Sequence, residues 1–504
     1  MENAQELQDL RNRKAPIEIA PEDFRRLGHD LVDRIANFLS SLPHGPVTRG
    51  ESVSVVRQAL GSENGLPDQG ADAQSLLDQA ANLVFDHSLF NSHPRFWGYV
   101  TSPAAPIGIL GDLLAAAANP NVGSWTLAPM ATEIEAQSVR WIAELIGYPD
   151  NCEGLLVSGG NMANFVGFLA ARANRADWEI RKVGLRSPEG KSLRVYASSE
   201  THTWIQKAAD LFGLGTDAIC WVPVDDRQRM DTRALRQLLK EDRDRGATPF
   251  IVVGSAGTVG TGAVDPLSEI AAICRESEIW FHVDGAYGAF AAAAVPSEFT
   301  GLQKADSVAV DPHKWLYAPL EAGCILIRHA EALRKTFSYH PTYYSFDTEI
   351  LNYFDLGPQN SRGFRALKVW LALRQAGRSG YVRMIGDDIR LAQVLYRRLS
   401  DYTDLQALTQ ALSITTFRYF PEELKSAGNA ERVEAYLNRL NEELLDRLEK
   451  SGEVFLSKAM LGKKFALRVC IVNFRTSLED IEALPGIVVR LGHQVDEQLR
   501  AGAY

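Results

Sequence analysis

Cysteine is scarce in this chain: five residues in 504, Cys152, Cys220, Cys274, Cys324 and Cys470, with no CxxC pair among them. That scatter excludes a disulfide framework and a thiolate zinc site, and it fits reduced, mostly buried thiols in a cytoplasmic protein. The ten histidines show no metal-ligand spacing, so no metal is expected. No apolar run reaches the ~18 residues that a membrane-spanning helix requires. The polar N-terminus, MENAQELQDLRNRKAP, lacks the apolar stretch of a signal peptide. There is no basic block and the net charge is −10, which argues against nucleic acid as a partner. Internal repeats and low-complexity tracts are also missing. What is present is a globular composition, 46% hydrophobic and 23% charged, on a chain long enough for two or three domains.

Residue periodicity divides the chain in three. Residues 1–105 hold two amphipathic helices, from Pro21 to Leu42 and from about Asp72 to Phe85, with a Gly-, Pro- and Ser-rich stretch between them that reads as loops. Two helices without strands cannot bury their own apolar faces and need another surface. His93–Pro106 follows as a loop dense in aromatics. Residues 106–376 alternate helices with short apolar strands, at Gly154–Val157, Leu193–Ala197, Ile219–Val224, Pro249–Val253, Trp280–Val283, Ser307–Val310 and Cys324–Ile327. Such alternation implies an α/β domain with a mostly parallel sheet and helices on both faces. Leu333–Gln359 is long, aromatic and aperiodic, the mark of a lid or a disordered segment. Residues 377–504 read as a smaller α+β domain, with strands at Ser413–Tyr419, Val454–Lys458 and Phe465–Asn473, whose role is mostly packing.

The chemistry gathers at strand ends. Ser307–Val310 runs into Asp311-Pro312-His313-Lys314-Trp315, where proline stops the strand. A lysine placed between His and Trp after a buried strand is poorly solvated, and desolvation suits an amine that must attack a carbonyl. Trp280–Val283 ends in Asp284-Gly285-Ala286-Tyr287-Gly288, a carboxylate followed by small residues that leave room for a flat ligand. Pyridoxal phosphate needs this set: a carboxylate to keep its ring nitrogen protonated, a small residue against one ring face and a lysine to bond its aldehyde carbon. Ser158-Gly159-Gly160-Asn161 opens a helix, whose free N–H groups and dipole favour an anion such as the phosphate. The rival is a dinucleotide loop in GSAGTVGTG, with Asp284 as ribose acceptor. Its glycines are spaced GxxGxxGxG rather than GxGxxG, and Pro266 delays the helix.

FHVDGAYG followed by VDPHKWLYAP resembles the pyridoxal-dependent group II decarboxylases, the family of aromatic-L-amino-acid decarboxylase and its glutamate, histidine and tyrosine relatives; the likeness runs from about Pro21 to Asp388. It implies fold type I, the pyridoxal-phosphate aminotransferase fold, with a mostly parallel mixed seven-stranded sheet, and a homodimer in which the N-terminal segment packs across the partner. Lys314 would bond the cofactor and Asp284 would hold its ring nitrogen. His202 and Ala286 would sandwich the ring. Gly160, Asn161, Asp311 and His313 would lie near the phosphate, with Thr258 an adjacent hydroxyl. Trp97, Tyr99 and Val100 would wall the side-chain pocket, and Ser102 would sit near the substrate carboxylate. Tyr343, with Tyr344 its neighbouring rival, would return the proton after carbon dioxide leaves. The loop bearing Asn121, Val122 and Gly123 would reach the other subunit's site. Relatives acting on aromatic substrates carry bulky residues there, so this chain's loop opens the pocket or makes it more polar. The expected reaction is decarboxylation of an L-amino acid to its amine, with an aromatic substrate. A non-aromatic substrate and an aromatic acetaldehyde synthase stand as alternatives; the synthase is disfavoured by the presence of both His202 and Tyr343.

Overall fold

The computed structural model describes residues 4–186, 192–339, 350–426 and 430–501. They fall into two compact units, and Tyr343 and Tyr344 lie outside the described residues. The first unit takes residues 4–96 with 448–455. Its helices are Ala4–Arg11, Pro21–Ser41, Val53–Leu60 and Ala73–Asp86. Pro21 opens the longest of them, because the first helical position has no amide bond to lose. Phe38 stacks on Phe85 with ring centroids 4.3 Å apart. Val47, Phe96 and Phe455 make a small core. Val53–Leu60 lies inside the stretch expected to be loop. Its eight residues are too few to show a periodic face, but Ser52 caps it through the Val55 amide and Gly61 ends it in the left-handed region.

The second unit takes residues 97–447 and 456–501. Its main sheet holds β1 (Glu153–Val157), β2 (Leu193–Ser198), β3 (Ile219–Val222), β4 (Thr248–Ser255), β5 (Trp280–Asp284), β6 (Ser307–Val310) and β7 (Gly323–Ile327), in the order β1-β7-β6-β5-β4-β2-β3. From β6 through β3 neighbours run parallel, while β7 is antiparallel to both β1 and β6. Strands β5, β6 and β7 are buried throughout, as a sheet covered on both faces requires. This is the seven-stranded mixed sheet expected from the resemblance.

A second, antiparallel sheet contains β8 (Leu405–Ala411), β9 (Ile414–Tyr419), β10 (Ser457–Leu461) and β11 (Lys464–Cys470), in the order β10-β11-β9-β8. Strand β8 was not expected. Its LQALTQA sequence has few β-branched residues, and it is held by pairing with β9 rather than by propensity. The strand expected from Val454 begins at Ser457. Ala366–Arg398 is one long helical element, interrupted at Gly377, whose φ is 62°.

Candidate active site

The C-terminal ends of β4, β5 and β6 lie side by side, with Ser255 opposite Asp284 and Asp284 opposite Ala309. Ligands bind at such ends in parallel sheets. A cavity of about 750 Å³ opens there. It is lined by eleven of the residues expected for the site: Tyr99, Val100, Gly160, Asn161, His202, Thr258, Asp284, Ala286, Asp311, His313 and Lys314.

The turn after β6 places the lysine. The Lys314 amide bonds the Asp311 carbonyl at 2.9 Å, and its ammonium meets Asp311 Oδ2, also at 2.9 Å. Asp311 is almost wholly buried, and its second oxygen has no partner. A buried orphan acceptor beside a lysine costs free energy and is a common feature of functional sites. On β5, Asp284 Oδ2 accepts from the Trp204 indole at 2.7 Å, and Oδ1 accepts from the Ala286 amide at 3.2 Å. Two fixed donors hold that carboxylate in one orientation.

Two histidines face the cavity, both with pKa values below the ordinary one. For His202 burial is the larger cause, opposed by the Asp284 carboxylate and reinforced by Lys314. For His313 burial again dominates, opposed by Asp311. Both are therefore neutral near pH 7. His202 Nδ1 accepts from the Trp204 amide at 3.3 Å, so Nε2 carries the proton of the neutral ring.

Pyridoxal phosphate fits this set of residues. The helix Gly160–Arg175 begins at the cavity with no side-chain cap on its free amides. Gly159, at φ 84°, turns the chain into it. A Cβ on Gly160 would come to 2.6 Å from Asp311 Oδ2 and 3.0 Å from the Ala286 methyl, so only glycine leaves that cradle open. The site thus offers a lysine amine, a fixed carboxylate, a small residue beside it and an anion-binding helix start.

Other expected residues lie elsewhere in this chain. Trp97 is fully buried, with its indole donating to Thr476 Oγ1 at 3.1 Å, and is core rather than cavity wall. Ser102 donates to the His313 carbonyl at 2.9 Å and so braces the lysine turn from behind. Asn121, Val122 and Gly123 do not line this chain's cavity either. Asn121 Oδ1 accepts from the Gly123 and Arg362 amides, Val122 is core, and a Cβ on Gly123 would strike the Asn360 carbonyl at 2.2 Å. Within one chain these residues hold their own loop against the segment at Asn360–Arg362.

The second sheet does more than pack, contrary to expectation. Ser457 and Lys458 on β10 and Arg468 on β11 line the cavity. Arg468 is buried, donates to Ser457 Oγ and the Val259 carbonyl, and forms no ion pair with a carboxylate among the described residues. Burial lowers its pKa. One arginine in the otherwise apolar run Phe465–Cys470 was the available sequence signal. Glu200 also lines the cavity, and burial raises its pKa. Behind the site, the Trp280 indole donates to Ser307 Oγ, which bonds His282 Nδ1, whose Nε2 bonds the cavity-lining Asn164, at 2.7–2.8 Å throughout.

Residues 57–419 match the pyridoxal-dependent decarboxylase conserved domain. The chain is 34% identical over 476 residues to an aromatic-L-amino-acid decarboxylase of Bacillus atrophaeus, covering 92% of this chain and 94% of that one. It is 26% identical over 483 residues to a phenylacetaldehyde synthase of a Rosa hybrid cultivar, covering 92% and 93%. Among solved structures it superposes on mouse CSAD with a TM-score of 0.88 at 25% identity, covering 94% of this chain and 99% of that one.

Proposed function

This chain belongs to the pyridoxal-dependent decarboxylase family and is a pyridoxal-phosphate-dependent amino-acid decarboxylase, a carbon–carbon lyase, and from that premise we propose that its substrate is an aromatic L-amino acid. The observation that carries the reading is the meeting of Lys314, Asp284 and the Gly160 cradle in one cavity, in a chain 34% identical to an aromatic-amino-acid decarboxylase. Tyr99 puts an aromatic ring on the wall of that cavity, in keeping with an aromatic substrate.

Bound pyridoxal phosphate supplies a sink for the electron pair left when the carboxylate departs as carbon dioxide. Lys314 would hold the cofactor through its amine. Asp284, oriented in advance by Trp204 and Ala286, would keep the cofactor's ring nitrogen protonated. His202, neutral at working pH, would cover a ring face without adding charge. Arg468 is a cation on the cavity wall suited to orient the substrate carboxylate, through the guanidinium N–H groups that bond neither Ser457 nor Val259. Tyr343, or Tyr344 beside it, would return a proton to the substrate carbon to give the amine.

A second reading has its own support. Lys458 stands with Arg468 on the cavity wall, and two cations suit a substrate bearing two carboxylates, an acidic amino acid. We also infer a homodimer. On the helix Pro106–Ala118, Leu110, Leu113 and Leu114 are each more than half exposed, as are Leu127 and Met130 nearby in sequence. Five free cysteines, four of them buried, support a cytoplasmic location.

The test is a panel of the twenty amino acids with dopa and 5-hydroxytryptophan, assayed together for carbon dioxide, amine and hydrogen peroxide. Amine without peroxide from Trp, Tyr, Phe or dopa is the expected result. Amine from Glu or Asp alone would favour the acidic reading, and aldehyde with peroxide would overturn both.

A further inference from the structure

The residues after Lys314 are anchored from one helix. Asp388, on Ala366–Arg398, takes two hydrogen bonds on a single oxygen: the Trp315 indole donates at 3.0 Å and the Tyr317 hydroxyl at 2.9 Å. Two turns earlier on the same face, the Tyr381 hydroxyl donates to the Leu316 carbonyl at 3.1 Å. Three consecutive residues following the lysine are thereby fixed to one helix. The Asn473 amide, just beyond β11 with its Arg468, also donates to Asp388. Trp315 stacks on Tyr287 at 4.9 Å, and Tyr287 follows Ala286 at the cavity. The carboxyl therefore joins the lysine turn, the cavity-lining segment after β5 and the chain leaving the second sheet.

Asp388 is 2% exposed and forms no ion pair with a cation among the described residues. The groups that face it are Tyr317 from the lysine turn, Tyr287 from the segment after β5, Cys470 from β11, and Tyr381 and Asp387 from its own helix. None of these supplies a positive charge. Burial pushes its pKa up to about 7, while the Trp315, Tyr317 and Asn473 donors oppose that rise. As pH climbs through that value the acid becomes a carboxylate, and both side-chain bonds become charge-assisted and stronger.

We propose that Asp388 is a positioning residue whose ionisation tightens the Lys314 turn, so that the chain holds pyridoxal phosphate more firmly as the carboxyl loses its proton. The proposal requires that this chain bind the cofactor through Lys314. It does not depend on which amino acid is the substrate.

Cofactor affinity and the induced circular dichroism of bound cofactor, measured from pH 6 to 8, provide the test. In the wild-type protein, affinity rises roughly three- to tenfold across that range. Asp388→Asn keeps an acceptor for Trp315 and Tyr317 but cannot titrate, so its rise is smaller by the Asp388 contribution. Other groups titrating in the same window contribute to both proteins. Tyr317→Phe removes a donor that favours the charged form, and its midpoint therefore moves to higher pH. The proposal is overturned if Asp388→Asn keeps the full wild-type step, or if the Tyr317→Phe midpoint stays in place or falls. If Asp388→Asn does not fold, the direction of the Tyr317→Phe shift decides alone.

Discussion

Single residues here divide into those that touch the cavity and those that act through others. Replacing Lys314 with Ala should abolish turnover and remove the visible absorbance of covalently held cofactor. Arg468→Met removes a charge-assisted hydrogen bond, worth about 2 kcal/mol, so kcat/KM should fall roughly 30-fold with cofactor affinity unchanged. Tyr343→Phe should spare cofactor binding and shift product from amine toward aldehyde; amine at the wild-type rate would dismiss that role. Two buried groups give opposite pH signatures in stability. Burial lowers the His282 pKa from 6.5 to about 4. Between those values the unfolded chain binds a proton that the folded chain refuses, so stability falls as pH drops through that window. Asp388 is raised from 3.8 to about 7, so its contribution is present below 3.8 and is lost as pH rises through 7. Urea midpoints of wild type, His282→Gln and Asp388→Asn across pH 4–8 would separate the two.

At the scale of elements, the site depends on how strand ends are braced. Glu135 and Arg362 form a buried ion pair that also takes in the Leu156 amide and carbonyl and the Val122 carbonyl. It ties the end of β1, which leads into the Gly159–Gly160 cradle, to the loop at Asn121–Gly123. Glu135→Gln would leave the arginine charge buried without its partner, and about 3–5 kcal/mol of stability should be lost, read as a drop in the urea midpoint. Gly160→Ala should weaken cofactor affinity while leaving the fold intact, since the nearest atoms its Cβ would meet are the cavity-lining side chains of Asp311 and Ala286. The strands that matter to the site were legible in sequence because they are buried on both faces and end in Asp, Gly or Pro. Strand β8 was not, because it exists through pairing with β9.

On the scale of the whole molecule, the apolar surface of Leu110, Leu113 and Leu114 is the main unexplained feature of one chain. A homodimer would bury it. Wild-type protein should sediment as a dimer, and Leu113→Glu should shift it toward monomer with loss of activity. A wild-type monomer that retained full activity would refute the idea that a second subunit completes the site.

The sequence by itself determined the chemistry. Lys314, Asp284, Gly160 and Asn161 were readable because each sits where an apolar strand stops, and strand ends are local features of the chain. Only the tertiary structure decided what lies between those residues. Arg468 and Asp388 come from segments more than seventy positions downstream of Lys314 in numbering, and neither follows a strand or turn that marks it. Their importance comes from burial without an ion-pair partner of opposite charge among the described residues. Burial of that kind is a property of packing in three dimensions, and no local pattern of residues encodes it.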